Sequence, residues 1–314
     1  MDGLIGSRVS IRQRVGERDG RPLFSDAVGD LVVDATGLVV HTRRGPVRID
    51  PDAVVAARAV PPPVPRRAGL SAVVAVESLC ADAWPAAVDE LLGQWRLRAA
   101  GGFTGRANSA LAIGDPGLPV PDALAAVVAF AQRTGTRPRV QVPVGSPWDH
   151  AVERAGWVLN SDHAAGAEVA VLIGDLDPIA AAPTPLPVEL PERPDQEWFR
   201  EEYPPVARAV LDPGGTPPVG FGIVRDGSAV LGRVRACLVD GHVHVSMLHT
   251  VDAARGRGIA TGMLAAAADW GLERGARWMV LQVALQNAGA RSLYGRLGMR
   301  EHHRYRYLVP PALR

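Results

Sequence analysis

Apolar and polar residues alternate over the first sixty positions, in short runs broken by turn residues. "RVSIRQRV" alternates, "DLVVDATGLVVHTRRGPVRI" carries two or three such runs separated by Thr-Gly and Arg-Gly, and "AVVAARAV" closes the series. A period of two predicts strands with one buried face. Five short strands joined by tight turns predict a small β-barrel over residues 1–60. "PPPVPRR" at 61–67 can continue neither sheet nor helix and reads as a linker.

Helical and strand periods then mix over 68–177. "WPAAVDELLGQW" has helical spacing, while "PDALAAVVAFAQRTG" and "SPWDHAVERAGW" carry helix start and stop signals. "WRLRAAGGFTGRANSALAIG" reads as strand, glycine turn, strand; "RPRVQVPVG" and "EVAVLIGDL" read as strands. "DPIAAAPTPLPVELPERP" reads as a second linker. Over 190–310 come "DQEWFREEY", then strands "GFGIVRD", "AVLGRVRACLV" and "HVHVSMLHT". A glycine loop, a helix over 261–274, the strand "WMVLQVAL", a short helix "GARSLYGRLG" and a strand "HHRYRYLV" follow. The two stretches read as a duplication. "FAQRTGTRPRVQVPVG" matches "WGLERGARWMVLQVAL", and "VERAGW" matches "YGRLGM", with Gln141 on Gln282 and Gly156 on Gly298 at nearly constant offset. The expected fold class is α/β: a small barrel followed by two mixed-sheet units.

Composition narrows the picture. The 314 residues are 47% hydrophobic and 21% charged, an ordinary globular balance. Apolar runs fall short of the roughly 18 residues that span a bilayer, and "MDGLIGSRVS" lacks the features of a secretory signal, so a cytoplasmic address is expected. Cys80 and Cys237 read as buried, reduced thiols. A net charge of +1 does not argue for nucleic acid. The chain contains no lysine. Arg12, Arg14, Arg43, Arg44 and Arg48 in the first unit are interspersed with Asp19, Asp30, Asp34 and Asp50, so no basic face emerges there.

The candidate chemistry lies in "ARGRGIATG" at 254–262, a glycine loop between a strand and a helix. Unpaired N–H groups of a first helical turn, with the helix dipole, bind anions. A dinucleotide site is disfavoured. Gly256 and Gly258 fit GxGxxG, but Thr261 stands where the third small residue belongs, and the next strand ends in Gln286-Asn287 instead of an acid. Arg255, Gly258 and Ala260 instead fit R-x-x-G-x-A. Downstream, "LQVALQNAGARSLYGRLGM" places Tyr294 seven residues after Asn287 and ends in Leu-Gly-Met.

These features resemble the GCN5-related N-acetyltransferase (GNAT) superfamily over about 190–310. More loosely, and prompted by "GGFTGRANS", the whole chain looks like an actinobacterial subfamily that joins an SH3-like module to a degenerate and a complete GNAT unit. The resemblance implies an acetyl-CoA-dependent transfer to a primary amine, small molecule or protein, in a ternary complex without a metal. It implies that Arg255, Gly256, Arg257, Gly258, Ile259, Ala260 and Thr261 hold the CoA pyrophosphate. Leu248, His249 and Thr250 would pair with pantetheine, Asn287 would bond the same arm (or cap its helix), and Tyr294 would protonate the leaving thiolate. Some members carry a Glu five residues before the Asn; here that position is Gln282. Val243, Val245 and Met247 alternate toward the core, which puts His242, His244 and Ser246 toward the cleft and makes His244 a candidate base. Glu197, Glu201 and Glu202 lie where acceptor-binding helices begin and could attract a cationic amine, but read better as a solvated helix face. His302 and His303 should point to opposite faces and make poor joint ligands. The first repeat has "DPGLPVPD" in place of the loop, Val152 in place of the tyrosine and Gly145 or Ser146 in place of the asparagine, so it should not bind CoA in the usual way. A CoA-responsive regulatory protein with little catalysis is the alternative, supported by Gln282 and opposed by Tyr294.

Overall fold

A computed structural model describes residues 2–34, 37–42, 45–60, 68–199 and 203–311, in two compact units that divide after residue 66. Arg43, Arg44, Glu201, Glu202 and the 61–67 linker lie outside the described residues. In the first unit, β1 (Arg8–Arg18), β2 (Arg21–Asp34), β3 (Gly37–Thr42), β4 (Gly45–Ile49) and β5 (Val54–Ala59) form an antiparallel sheet in the order β4-β3-β2-β1-β5. The alternation of "RVSIRQRV" becomes the buried pair Val9 and Ile11, which pack with Ala27, Leu31, Val40 and Ile49. Among the described residues no pairing joins β4 to β5, so the sheet is open where a closed barrel was expected. Two of its arginines are paired: Arg12 makes a two-point bond to Asp26 at 2.8 Å, and Arg14 pairs with Glu17.

The second unit opens with α1 (Leu70–Ala83), whose Val73, Val76, Leu79, Cys80 and Ala83 form a buried stripe. There follow β6 (Val88–Leu92), β7 (Trp95–Ala99), β8 (Ala110–Leu111), α2 (Val120–Thr134), β9 (Val140–Pro143), α3 (Pro147–Arg154), β10 (Val158–Leu159), β11 (Glu168–Asp175) and α4 (Leu176–Ala180). The remainder is α5 (Ala207–Leu211), β12 (Val219–Asp226), β13 (Ala229–Val239), β14 (His242–Thr250), α6 (Ile259–Leu272), β15 (Trp278–Ala284), α7 (Ala288–Arg296) and β16 (Arg300–Val309). The helix expected from "WPAAVDELLGQW" is instead the β6–β7 hairpin, turning at Gly93 with φ +58°. Pairing overrides the spacing, and Leu91, which a helix would have buried, is 75% exposed. The second proline-rich stretch is not a free linker: it begins as α4, Leu186, Val188 and Leu190 pack on the core, and Glu189 bridges Ile223.

All eleven strands of this unit belong to one sheet, ordered β12-β13-β14-β15-β11-β16-β9-β8-β7-β6, with β10 on β16. The order is symmetric about the β11·β16 pair. β14·β15 and β8·β9 are parallel, and each is flanked by an antiparallel strand from the other half of the chain: β11 beside β15, and β16 beside β9. The two stretches thus exchange their last strands. Alternation sorts the faces. Ala170, Leu172, Val243, Val245, Met279 and Leu281 pack under α4 and α6, while Val169, Val171 and Val280 pack with Val76, Leu79 and Cys80 of α1. Cys80 and Cys237 are buried free thiols. Among the described residues no helix is long and apolar enough to cross a membrane.

Candidate active site

β14 and β15 pair in parallel for four residues, from His242↔Trp278 to Val245↔Leu281. Beyond that they part. The first residues past the parting are Ser246 on β14 and Gln282 on β15. At the same place the β13·β14 register slips: Arg235 faces Ser246, whereas Arg233 faces His249. The slip is a bulge, with Met247 at φ +53°, and a bulge unpairs a backbone amide and re-aims the following side chains. The expected alternation therefore breaks at Met247. It joins the aromatic cluster of Trp84, Trp198 and Phe221, and Leu248 takes the core side with Val243 and Val245. Leu248, His249 and Thr250 are half-buried on the parted strand, and the Thr250 hydroxyl is buried without a partner.

The glycine loop follows. Gly256 and Gly258 have φ of +76° and +78°, a left-handed conformation that glycine adopts without strain. Gly258 caps α6, and Gly262 N donates to Gly258 O at 3.0 Å as the helix starts, leaving the amides of Ile259, Ala260 and Thr261 at an open helical terminus. Arg255 pairs with Asp252 at 2.7 Å and Arg257 with Asp226 at 3.2 Å, all on the surface. Such exposed pairs are weak, about 0–1 kcal/mol, and leave both guanidiniums exchangeable to a phosphate. This donor set fits a pyrophosphate.

Asn287 caps α7, its side chain accepting from Ala290 N at 3.1 Å. Tyr294 sits seven residues, about two helical turns, further on, 7% exposed in the α6 core, where burial pushes its phenol up to about 12. The group stays protonated throughout the physiological range.

His244 does not face a cleft. It is fully buried, and neither ring nitrogen has a hydrogen-bond partner. Burial first, then the positive charges of Arg106 and Arg235, hold its pKa well below the ordinary value, with Gln282 opposing them in part. A weakly basic, enclosed imidazole is a poor proton acceptor for an incoming amine, which corrects its reading as a base. His242 is bonded locally to Asp240 O at 2.7 Å. Glu197 is engaged with Arg225 at 2.7 Å. His302 and His303, expected to point apart, meet at 2.8 Å between their Nδ1 atoms. A bulge in β16 against Val171 and Leu172 brings them together, and His303 Nε2 reaches Glu77 at 2.7 Å. Asp149, His150 and Glu153 cluster closely enough for a cation, but Arg306 already engages both carboxylates at 2.7 Å.

One participant escaped the sequence reading. The loop between β7 and β8 carries Arg106 across the sheet, where its Nη1 donates to Gln282 Oε1 at 3.0 Å and its guanidinium lies over Trp84. The glycines of "GGFTGRANS" marked this loop, but not its partner. Asn108 fastens it, accepting from Ala100 N and Gly102 N and donating to Phe103 O and Thr104 O.

Comparison with known proteins agrees with this geometry. Residues 70–308 match the family described as "Probable histone acetyltransferase Rv0428c C-terminal". The chain is 29% identical to the probable histone acetyltransferase Rv0428c of Mycobacterium tuberculosis, over 97% of this chain and 95% of that protein. It is 26% identical to the uncharacterized N-acetyltransferase YobR of Bacillus subtilis, over 73% of this chain and 96% of that one. Among solved structures, a GCN5-related N-acetyltransferase from Kribbella flavida superposes with a TM-score of 0.56 at 15% identity, covering 76% of this chain and 95% of its own. A tandem GNAT protein from the clavulanic acid biosynthesis pathway superposes with a TM-score of 0.50 at 14% identity, covering 64% and 74%.

Proposed function

Because this chain belongs to the Rv0428c C-terminal family, and with it to the GNAT acetyltransferases, we propose that it transfers acetyl from acetyl-CoA to a primary amine at the parting of β14 and β15. The observation that carries this reading is the parting itself, with the Met247 bulge on one side and the glycine cradle just downstream. Amides of 256–261 hold the pyrophosphate, with Arg255 and Arg257 exchanging their surface carboxylates for it. The edge of β14 at Leu248, His249 and Thr250 pairs with the pantetheine arm, and Asn287 bonds it while keeping its cap. An amide freed at the bulge donates to the thioester oxygen, which gains negative charge as the amine attacks. The new C–N bond forms, the C–S bond breaks, and Tyr294 gives its proton to the departing sulfur. The amine's proton leaves through water, since neither Gln282 nor His244 suits the task.

Residues 1–60 act as an SH3-like module, residues 68–177 as a degenerate GNAT-like unit and residues 190–310 as the complete one, in a cytoplasmic enzyme. The first repeat lacks the cradle, as "DPGLPVPD" supports. The histone in the relative's name makes a protein amine one candidate among primary amines, and the absence of lysine from this chain leaves it no lysine side chain to acetylate.

The test is thiol release from acetyl-CoA with a panel of amines, alongside calorimetric titration with CoA. Amine-dependent release supports the proposal. Tight CoA binding without release above background would favour the regulatory reading.

A further inference from the structure

Two guanidiniums converge on the parting of β14 and β15, and the described residues bring no carboxylate into hydrogen-bond contact with either. Arg106 Nη1 is spent on the neutral Gln282, and its guanidinium carbon lies 4.7 Å from the Trp84 ring centroid. Arg235, on β13, lies 5.2 Å from the same ring. It is fully buried: Nε donates to Leu211 O and Nη1 to Ala83 O, while Nη2 has no partner. Beside them stand His244 and the Ser246 hydroxyl, both buried and unpartnered, and the buried Cys237 thiol. Asp212 acts on Arg235 only through space, and Glu77 is held by Gln141 and His303. Burying a guanidinium with no carboxylate bonded to it is costly, and Arg235 is such a group, whereas Arg106 is half-buried and so partly accessible. Arg106 stands beside the parting at which the proposed reaction brings the amine to the thioester.

The CoA phosphates are not the missing anion. From Ser246 to Thr250 the strand, bulged at Met247, covers at most about 13 Å at about 3.3 Å per residue, and the glycine cradle lies beyond. Nor is this the charge pattern for a cationic peptide: Gln282 at the parting is neutral and accepts from an arginine.

We infer that the acceptor is a small molecule of amino-acid type, carrying a carboxylate beside its reactive amine, and that Arg106 binds that carboxylate. Arg106 keeps its second nitrogen fork for the ligand, and the planar guanidinium suits two-point recognition of a carboxylate. Arg235 supports it from below through its charge. The same field opposes a charged ammonium, so the amine reacts as the free base, which offsets the lack of a carboxylate base at position 282. The first repeat thus serves the second by supplying its acceptor-recognition loop. This inference rests on the acetyl-transfer reading above.

The experiment compares thiol release with a panel of α-amino acids and with their carboxamides, at saturating acetyl-CoA. The amide's amine is the less protonated of the pair near neutral pH, so intrinsic reactivity favours the amide and a preference for the acid reports recognition. The wild-type protein should prefer acid over matching amide by about tenfold or more in kcat/KM, the range of a charge-assisted hydrogen bond. Arg106→Gln should collapse that ratio, mainly through KM for the acid, and Arg106→Lys should recover part of it. CoA affinity, measured in parallel, reports that each variant is folded. Amides that equal or outrun acids in the wild type would overturn the inference, as would acceptance of lysyl peptides alone. An Arg106→Gln variant that binds CoA but loses acid and amide equally would also overturn it. No release with any amine would instead sink the acetyl-transfer reading, and this inference with it.

Discussion

Tyr294 and His244 show how burial assigns opposite roles to two titratable side chains near one strand pair. Desolvation raises the Tyr294 phenol to about 12, so its proton is available at any pH where the fold survives, and no alkaline loss of activity below about pH 10 should trace to it. His244 is shifted the other way, mainly by burial. The unfolded chain takes up a proton at His244 more readily than the native chain does, so this group's stabilisation is full above the ordinary histidine range and falls as pH drops through it. Urea unfolding at pH 6.5 and pH 5 should therefore show His244→Gln losing less stability than wild type between the two. Equal losses would contradict the shift. The type and spacing of Tyr294 and Asn287 were legible in the sequence because they lie on one regular helix. The environment of His244 was not, because Arg106 and Arg235, which act on it, approach from distant segments.

Among elements, the turn into α6 and the bulge in β14 do most to define the site. Gly258 needs its positive φ, and a Cβ there would meet Pro185 at an ordinary 3.5 Å, so Gly258→Ala acts through backbone strain of about 1–2 kcal/mol. Calorimetry should show CoA affinity reduced by about tenfold or more with the overall fold retained. Unchanged affinity would remove the loop from the binding surface. Asn287→Ser should keep the α7 cap, whereas Asn287→Ala should cost about 1 kcal/mol in thermal or urea unfolding. Regular elements such as α2, with its Gly135 stop, followed from local signals. The β6–β7 hairpin did not, because its apolar spacing suits a helix equally and strand pairing decided the outcome. The Met247 bulge carries no residue signature, so period-two counting carried the strand past it in the wrong phase.

For the molecule as a whole, strand exchange is the controlling feature. Matching segments gave the expectation of two related halves, but not that β11 and β16 would cross into each other's halves, since both have the same apolar alternation and only long-range pairing distinguishes their neighbours. A chain cut between the halves leaves β15 without β11 and β9 without β16. Residues 67–314 should unfold in one cooperative transition, and either half expressed alone should fail to give a stable fold, as read by circular dichroism and urea titration. Two independent transitions would contradict the shared sheet. The chemistry depends on that sheet, because it holds the parted strands, the cradle and Tyr294 in one frame. The most direct check is therefore amine-dependent thiol release by wild type and Tyr294→Phe at saturating acetyl-CoA. The account predicts that the variant binds CoA within a few fold of wild type and loses about 10²-fold or more in kcat, the range for a general acid. A Tyr294→Phe enzyme that releases thiol at the wild-type rate would contradict it.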